Sequence, residues 1–371
     1  MSALYIHVPF CQSRCIYCDF YSTTHSAPWQ ERYVCALKQE MRLRKDELDG
    51  APLITIYLGG GTPSQLHPSL LQEIFRAIQE TFNLDNLQEV TIEANPDDVT
   101  PQWVDALHAT PINRISMGVQ SFDDAQLQFL NRRHTSRQVF DTVELCRKEG
   151  YTNLSLDLIY GLPSQTLSQW QKDVDTLLDL GTPHLSAYAL SIEEGTKLGK
   201  MVERGDVVET DEETEWQMYV YLMNATARAG MEHYEISNFA KPGFRSRHNS
   251  SYWQGTPYLG LGPGAHSYDG RSIRRANLPT LKQYTESEGG QVPYEVEHLT
   301  MDDRYNELIM TRLRTSDGLS LAQLTDSQRD FCLRQAEQYL QSGQLILQDD
   351  TLRLHRSGIF VSNSIISQLF L

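Results

Sequence analysis

Three cysteines, Cys11, Cys15 and Cys18, fall within eight residues in the first loop that the sequence predicts, directly after a short apolar stretch. Thiolates at this density can bind one soft metal centre, either a zinc ion or an iron–sulfur cluster. Structural zinc would need a fourth ligand, which His7 or His25 could supply. An iron–sulfur cube held by three thiolates instead leaves one iron open to an outside molecule.

The spacing of the cysteines helps to separate these alternatives. Gaps of three and two residues separate the cysteines, with no second cysteine pair downstream, whereas structural zinc sites usually show two pairs. The spacing therefore favours an open iron–sulfur cluster and leaves zinc or an unmetallated loop as alternatives. The isolated Cys35, Cys146 and Cys332 are predicted to be buried small apolar residues.

Apolar strand patterns alternate with amphipathic helical patterns through the first 195 residues. Six such β–α units predict an α/β fold with a parallel sheet, either doubly wound or curled into a full or partial barrel. Periodicity alone does not choose between these arrangements. The predicted strands are Leu4–Val8, Leu53–Leu58, Glu89–Ala94, Arg114–Val119, Asn153–Tyr160 and His184–Leu190.

Polar or glycine-rich features follow five successive strands at the same end. The first strand leads into the cysteine loop and the second ends in Gly59–Gly61, while Glu93, Gln120 and Asp157 belong to the next three. Barrels collect their chemistry at the carboxyl ends of the strands. This distribution therefore predicts a single site, located at the mouth of a barrel.

Two of these features also have structural explanations. Three consecutive glycines let a ligand lie against bare backbone, whereas a tight turn would need only one. A carboxylate at the end of an apolar strand, such as Glu93, needs a partner or solvent, and a salt bridge would suffice.

A third motif, His248-Asn249-Ser250-Ser251-Tyr252-Trp253, joins an imidazole to two large aromatic rings. Histidine can ligate heme iron, and aromatic faces can pack on a porphyrin. A surface loop with a hydrogen-bonded histidine is the structural alternative.

The rest of the chain predicts two further regions, which gives domains at 1–195, 196–299 and 300–371. The middle region begins with a helix after the N-cap Asp211 and continues as irregular Gly/Pro-rich sequence with short strands. The last region shows two helices followed by a hairpin, and its slightly acidic balance favours packing or partner docking over DNA reading.

The overall charge limits the classes of partner that the protein can bind. Lys and Arg number 32 and Asp and Glu 48, a net charge of −16, which argues against a nucleic-acid partner. Without a signal-peptide pattern or eighteen consecutive apolar residues, the sequence predicts a soluble cytoplasmic protein.

The Cys-x-x-x-Cys-x-x-Cys motif, preceded by Tyr5-Ile6-His7-Val8-Pro9-Phe10, resembles the radical S-adenosylmethionine (SAM) superfamily. The whole chain resembles its coproporphyrinogen III dehydrogenase-like group, and most closely the heme chaperone branch. This resemblance implies a partial (β/α)6 barrel. The patterns described above add an α+β extension and a C-terminal domain that resembles a winged helix. The resemblance also implies a [4Fe-4S] cluster on the three cysteines, whose open iron is chelated by the methionine part of SAM.

The resemblance further implies roles for individual residues. The glycine-rich stretch would hold the methionyl amino group of SAM, and Glu93 would contact SAM as well. Tyr5 would lie beside the first SAM, while three polar residues would face a nucleoside or a second SAM. The residues implied for SAM are Tyr5, Gly60, Gly61, Thr62, Glu93, Gln120, Arg132 and Asp157, and His248 is implied for heme.

The His248 motif resembles the pattern of the heme chaperone branch. This implies a protein that binds heme and passes it to respiratory proteins at the membrane, with an electron donor for the cluster. A homodimer and a peripheral location at the inner face of the membrane are compatible with this expectation.

Two departures from the dehydrogenase pattern favour the chaperone over the alternative, an oxygen-independent coproporphyrinogen III oxidase. Phe20 stands where the enzyme has a further cysteine, and the chain begins only ten residues before Cys11, where the enzyme has an N-terminal extension. A zinc-stabilised interaction module remains as an alternative from another class.

Overall fold

The computed structural model describes residues 2–24, 27–287 and 291–371. Its first half alternates parallel strands with helices, and the six strands begin and end within two residues of their predicted bounds. These elements are β1 Ser2–Val8, α1 Gln30–Arg44, β2 Leu53–Gly60, α2 Pro68–Thr81, β3 Glu89–Ala94, α3 Pro101–Leu107, β4 Arg114–Gln120, α4 Asp124–Phe129, α5 Ser136–Lys148, β5 Leu154–Tyr160, α6 Leu167–Leu180 and β6 His184–Ala189.

The strand order decides between the two predicted α/β arrangements. Strands β1 to β6 lie side by side in sequence order and all run parallel, without the reversal of order that defines a doubly wound sheet. Because β1 and β6 each pair with a later strand and not with each other, the barrel stays open. The fold is therefore the expected partial (β/α)6 barrel.

The middle region adds strands to both edges of this sheet, so that twelve described strands form one sheet. One edge receives a strand parallel to β1 followed by three antiparallel strands, and the other receives a hairpin beside β6. The elements here are α7 Lys197–Glu203, α8 Glu212–Arg228, β7 Glu232–Glu235, β8 Asn238–Ala240, α9 Arg247–Trp253, β9 Tyr258–Leu261, β10 His266–Tyr268, β11 Ile273–Asn277, α10 Leu281–Glu286 and β12 Tyr294–His298.

This middle region shares the apolar core of the barrel. Leu222 on α8, Leu259 on β9 and Tyr284 on α10 belong to the same buried cluster as Leu4 and Ile56 of the barrel strands. The predicted boundaries at residues 195 and 299 remain predictions, but the structure shows that the barrel and its extension pack as one body.

A buried carboxylate on α1 fixes the extension to the barrel. Glu40 accepts hydrogen bonds from Arg44 Nη1 at 2.7 Å, Asn277 Nδ2 at 2.7 Å, the Tyr284 hydroxyl at 2.8 Å and the Gly262 amide at 2.9 Å. Arg44 in turn donates to the Gly260 carbonyl at 2.8 Å. This network ties helix α1 to segments more than 200 residues away.

Two glycines, one within β9 and one just after it, allow close backbone packing. A Cβ at Gly260 would overlap the carbonyl of His266, and one at Gly262, where φ is +100°, would lie 2.5 Å from the His7 carbonyl. These two glycines are therefore explained by contact between backbone segments.

The C-terminal domain has its own apolar core, which includes Ile309, Leu319 and Leu352. It contains the two predicted helices and the predicted hairpin, together with a short third strand that joins the hairpin. Its elements are α11 Met301–Leu313, β13 Leu319–Ser320, α12 Asp326–Gln341, β14 Leu345–Gln348, β15 Thr351–Leu354, α13 Arg356–Ile359 and α14 Ser362–Gln368.

The isolated cysteines behave in two ways. Cys146 and Cys332 are buried as predicted, whereas the prediction for Cys35 is wrong because this residue is exposed. Its neighbours Val34 and Ala36 are buried, so Cys35 lies on the solvent side of α1. Within the described ranges, no helix has both the length and the apolar character needed to cross a membrane.

Candidate functional site

A cavity of about 470 Å³ opens at the carboxyl ends of the barrel strands. Its volume lies within the range of roughly 300–1,000 Å³ that small-molecule sites occupy. The structure brings most of the predicted site residues to its wall, while Tyr5 and His248 lie outside it. The predicted residues that line the cavity are Cys11, Cys15, Cys18, Gly60, Gly61, Thr62, Glu93, Gln120, Arg132 and Asp157.

The cysteine loop is held against the barrel by polar side chains. Thr62 Oγ1 donates to Cys11 Sγ at 3.4 Å, and Arg132 Nη1 donates to Cys15 Sγ at 3.4 Å. The guanidinium is fixed by the Gly118 carbonyl at 2.5 Å. Burial raises the pKa of Cys18 to about 11, so its thiolate needs a positive partner such as a metal centre.

The geometry of the donors separates zinc from an iron–sulfur cluster. Among the described side chains, no three His, Cys, Asp or Glu residues are grouped to hold one metal ion. A zinc ion needs four ligands within about 2.0–2.3 Å of one point, whereas a four-iron cube takes each thiolate on a separate iron. Three thiols line one open cavity, which supplies the ligands of a cluster with one open iron and one ligand fewer than a structural zinc ion needs.

The histidines considered as zinc ligands do not favour zinc either. His7 is within hydrogen-bond distance of the Tyr21 carbonyl through Nε2 at 2.9 Å and of the Tyr5 hydroxyl through Nδ1 at 3.1 Å. His25 lies outside the described residues. Tyr5 itself stands one layer behind the cavity, with its ring 6.2 Å from that of Tyr57, which lines the wall.

The glycine stretch packs the end of β2 onto the cysteine loop. Gly60 has φ +107°, and a Cβ there would lie 2.5 Å from the His7 ring. A Cβ at Gly61 would lie 2.8 Å from the carbonyls of Val8 and Phe10. These contacts require glycine without any ligand, and they also leave the cavity wall here as bare backbone.

Glu93 is a half-buried carboxylate of the cavity wall and is held by neutral donors. The Tyr57 hydroxyl donates to it at 2.8 Å and the Gly60 amide at 3.1 Å. No basic side chain of the described residues forms a salt bridge with it, so the structural alternative of a salt bridge is wrong. Burial is the main cause that raises its pKa to about 7. Once ionised, this carboxylate can accept a hydrogen bond from the amino group of a ligand.

Two further predicted residues reach the cavity from neighbouring strands. Gln120 ends β4 after a shift in register with β5 and has φ +68°, a strained conformation typical of functional sites. Asp157 accepts hydrogen bonds from the hydroxyls of Ser116 and Ser155, both at 3.4 Å, and burial raises its pKa.

Sequence reasoning missed Arg114, which lines the same cavity with only 2% of its surface exposed. Within the described residues its guanidinium has no hydrogen bond or ion pair, although its charge lowers the pKa of Glu93 and Asp157. The sequence did contain a signal for Arg114. Alternate residues of β4 face the cavity, and Arg114 is in phase with Ser116 and Gln120.

His248 is buried and hydrogen-bonded at both ring nitrogens. The residue is not in a surface loop but in the short helix α9, which covers the amino ends of the barrel strands, and only 1% of its surface is exposed. Its Nδ1 lies 2.9 Å from Thr55 Oγ1 and its Nε2 lies 2.9 Å from the Tyr252 hydroxyl. Burial lowers its pKa to about 3, so the imidazole is neutral, and binding to heme iron would require one of its two hydrogen bonds to break. The role of His248 in heme binding therefore stays a prediction.

Two family models match the chain. The radical SAM superfamily model covers residues 5–177, and the HemN C-terminal domain model covers residues 299–361. Among solved structures, the coproporphyrinogen III oxidase HemN from Escherichia coli has a TM-score of 0.85 over 100% of this chain and 90% of its own. At 22% identity, this likeness shows the fold.

Several curated relatives span nearly the whole chain. The heme chaperone HemW of Lactococcus lactis is 34% identical, covering 100% of this chain and 97% of its own length. The heme chaperone HemW of Mycobacterium tuberculosis is also 34% identical, covering 99% and 94%. That of Bacillus subtilis is 36% identical, covering 86% and 85%. The chain therefore belongs to the HemW family within the radical SAM superfamily.

Proposed function

We propose that this protein is a heme chaperone, which binds heme, carries a [4Fe-4S] cluster with SAM, and delivers heme to respiratory membrane proteins. One observation carries the proposal: relatives called heme chaperone HemW match the chain over almost its full length. The meeting of the three cysteines and the glycine-lined wall in one cavity supports the cluster and SAM.

Within the central cavity, Cys11, Cys15 and Cys18 would hold the cluster, which when bound supplies an electron to the sulfonium of SAM. Glu93 would orient the amino group of SAM, because its ionised carboxyl is an acceptor close to the backbone of Gly60. The backbone of Gly61 and the Thr62 side chain would complete this part of the wall.

The other polar residues of the cavity would serve the rest of SAM. Gln120, Arg132 and Asp157 would bind its nucleoside or a second SAM molecule. Tyr5 would act through the ring of Tyr57, which separates it from the cavity. Arg132 would also place a positive charge beside Cys15, which favours the thiolate.

The partners follow from the same proposal. Heme is the cargo, respiratory proteins at the membrane are the acceptors, and a reductant must supply electrons to the cluster. We place the protein in the cytoplasm, with peripheral contact at the inner face of the membrane during delivery. A homodimer remains part of this proposal.

The alternative function, oxygen-independent oxidation of coproporphyrinogen III, is not favoured. Several relatives that span the chain are called heme chaperones, and the likeness to the oxidase HemN rests on the fold. At the mouth of the cavity stands the exposed side chain of Phe20, where the oxidase pattern has a cysteine.

Glu93 should make SAM binding depend on pH. Because burial raises its pKa to about 7, the ionised carboxyl becomes the main form between about pH 6 and pH 8, and SAM affinity should rise over that interval. In the Glu93→Gln variant, calorimetry should show a flat profile and roughly tenfold weaker binding at the upper pH. A variant that keeps the rise with pH would remove Glu93 from the SAM site.

The raised pKa of Glu93 should also make the stability of the ligand-free protein fall with pH, whereas SAM affinity rises. In the unfolded chain Glu93 ionises at its ordinary, lower pKa, so between that value and about 7 the folded chain holds more protons. The contribution of Glu93 to stability is thus full at low pH and is lost as the pH rises through about 7. Ligand-free protein should show this loss in urea unfolding, and the Glu93→Gln variant should not.

An anaerobic titration with hemin tests the proposed cargo. A heme chaperone should develop a Soret band that saturates at a fixed number of hemes per chain, whether or not the cluster has been reconstituted. Failure to saturate, or loss of the band on gel filtration, would contradict heme binding.

A further inference from the structure

A second cavity, which we call the inter-domain groove, lies between the barrel extension and the C-terminal domain. Its volume is about 760 Å³, within the range of roughly 300–1,000 Å³ for ligand sites. Helix α9, the strands from β9 to β11 and helix α11 form its walls. Its aromatic and charged lining residues are Tyr252, Trp253, Tyr258, Tyr268, Arg274, Arg304, Tyr305, Glu307 and Arg312.

One wall of the inter-domain groove is aromatic. The ring of Tyr258 lies 4.7 Å from that of Tyr252 and 6.4 Å from that of Tyr268, and Trp253 borders the same space. At the rim, the largely exposed Met301 adds a flexible apolar side chain. Such a wall suits a flat, conjugated ligand, since aromatic rings pack on extended π systems.

The charge of the groove is opposite to that of the chain. Three arginines and one glutamate line it, giving 3 − 1 = +2, whereas the whole chain carries −16. Arg274 is already paired with Glu307 at 2.5 Å. The other two arginines are therefore left for an anionic ligand.

These two arginines are incompletely partnered. Within the described part of the chain, the Arg304 side chain has no hydrogen-bond or ion-pair partner. Arg312 donates from Nη2 to the Gln254 carbonyl at 3.2 Å, while its buried Nε has no partner. Because guanidinium groups bind carboxylates in a bidentate manner, the groove can hold a ligand with two carboxylates.

Helix α9 connects this groove to the central cavity. Asn249 lines the central cavity, whereas Tyr252 and Trp253 line the inter-domain groove. His248, between these two faces, bonds to Thr55 of the barrel on one side and to the Tyr252 hydroxyl on the other. The histidine motif therefore positions the aromatic wall.

We propose that heme binds in the inter-domain groove, with its ring against Tyr258 and Tyr268 and its two propionates on Arg304 and Arg312. This inference rests on the proposed function and assigns its cargo to a site away from the cysteine loop. His248 is then a positioning residue that acts through Tyr252.

The test compares charge reversal in the groove with the same change elsewhere. Arg304→Glu alters an exposed residue of α11, so the fold should tolerate it, and Arg334→Glu on α12 is the matched control outside the groove. Arg304→Glu should weaken hemin binding about tenfold or more, because a charged hydrogen bond is lost and replaced by repulsion, while the control should match the wild type.

The dimethyl ester of hemin, which lacks the propionate charges, separates ring contact from carboxylate binding. We expect the wild type and Arg304→Glu to bind this ester with equal affinity. If the wild type binds hemin but Arg304→Glu binds it within twofold as well, the groove assignment fails and the chaperone function stands. If the wild type binds no hemin, the proposed function itself fails.

Discussion

Replacing any one of Cys11, Cys15 and Cys18 with alanine should remove nearly all cluster iron. The wild type, reconstituted and purified without oxygen, should be brown and contain about four irons per chain. Two thiolates cannot replace three, and Arg132 and Thr62, which contact the cysteines, offer no iron ligand of their own. Iron analysis and the sulfur-to-iron charge-transfer absorbance of the cluster provide the measurement.

Cys35→Ala is the matched control for this experiment, because that thiol is exposed on α1 and outside the cavity. It should keep the full iron content. Colourless wild-type protein with one zinc per chain would contradict the cluster and support the zinc module instead. Full iron content in the Cys15→Ala variant would show that the cluster is held elsewhere.

Glu40→Ala should destabilise the protein by about 3–5 kcal/mol, because removal of the carboxylate leaves the Arg44 guanidinium without its fully buried partner. The amides and hydroxyls that point at Glu40, from Gly262, Asn277 and Tyr284, would lose their acceptor at the same time. Urea unfolding followed by tryptophan fluorescence measures the change.

Glu47 supplies the matched control for Glu40, since it pairs with the same arginine at 2.7 Å but its side chain is 39% exposed. Glu47→Ala should cost less than about 1 kcal/mol. Equal losses in the two variants would show that the buried network does not hold the extension to the barrel.

Local sequence pattern was enough to predict the six β–α units, whereas the partial barrel was chosen by the resemblance to the radical SAM superfamily. Each parallel strand is a continuous apolar run followed by an amphipathic helix, so its period and length are visible without the partners. The same order placed the cysteine loop, Glu93 and Asp157 at one end of the sheet, and the structure brings them to one cavity. The radical SAM family assignment then followed from the cysteine spacing.

Other features depend on contacts that no local pattern records. The pairing of β9 with β1 joins residues about 255 positions apart, and Glu40 meets Asn277 across a similar interval. Arg114 had the pattern of an ordinary strand residue, although its charge is buried in the cavity. Helix α9, which contains His248, was not predicted because it is only seven residues long and its polar sequence resembles a loop.

The most direct test of the central claim divides one anaerobic, reconstituted preparation between two assays. One half is titrated with hemin, and the other receives coproporphyrinogen III, SAM and a reductant. The account predicts saturable hemin binding and no protoporphyrinogen. Protoporphyrinogen formed over many turnovers, together with no saturable hemin binding, would contradict it and make the protein an enzyme of porphyrin synthesis.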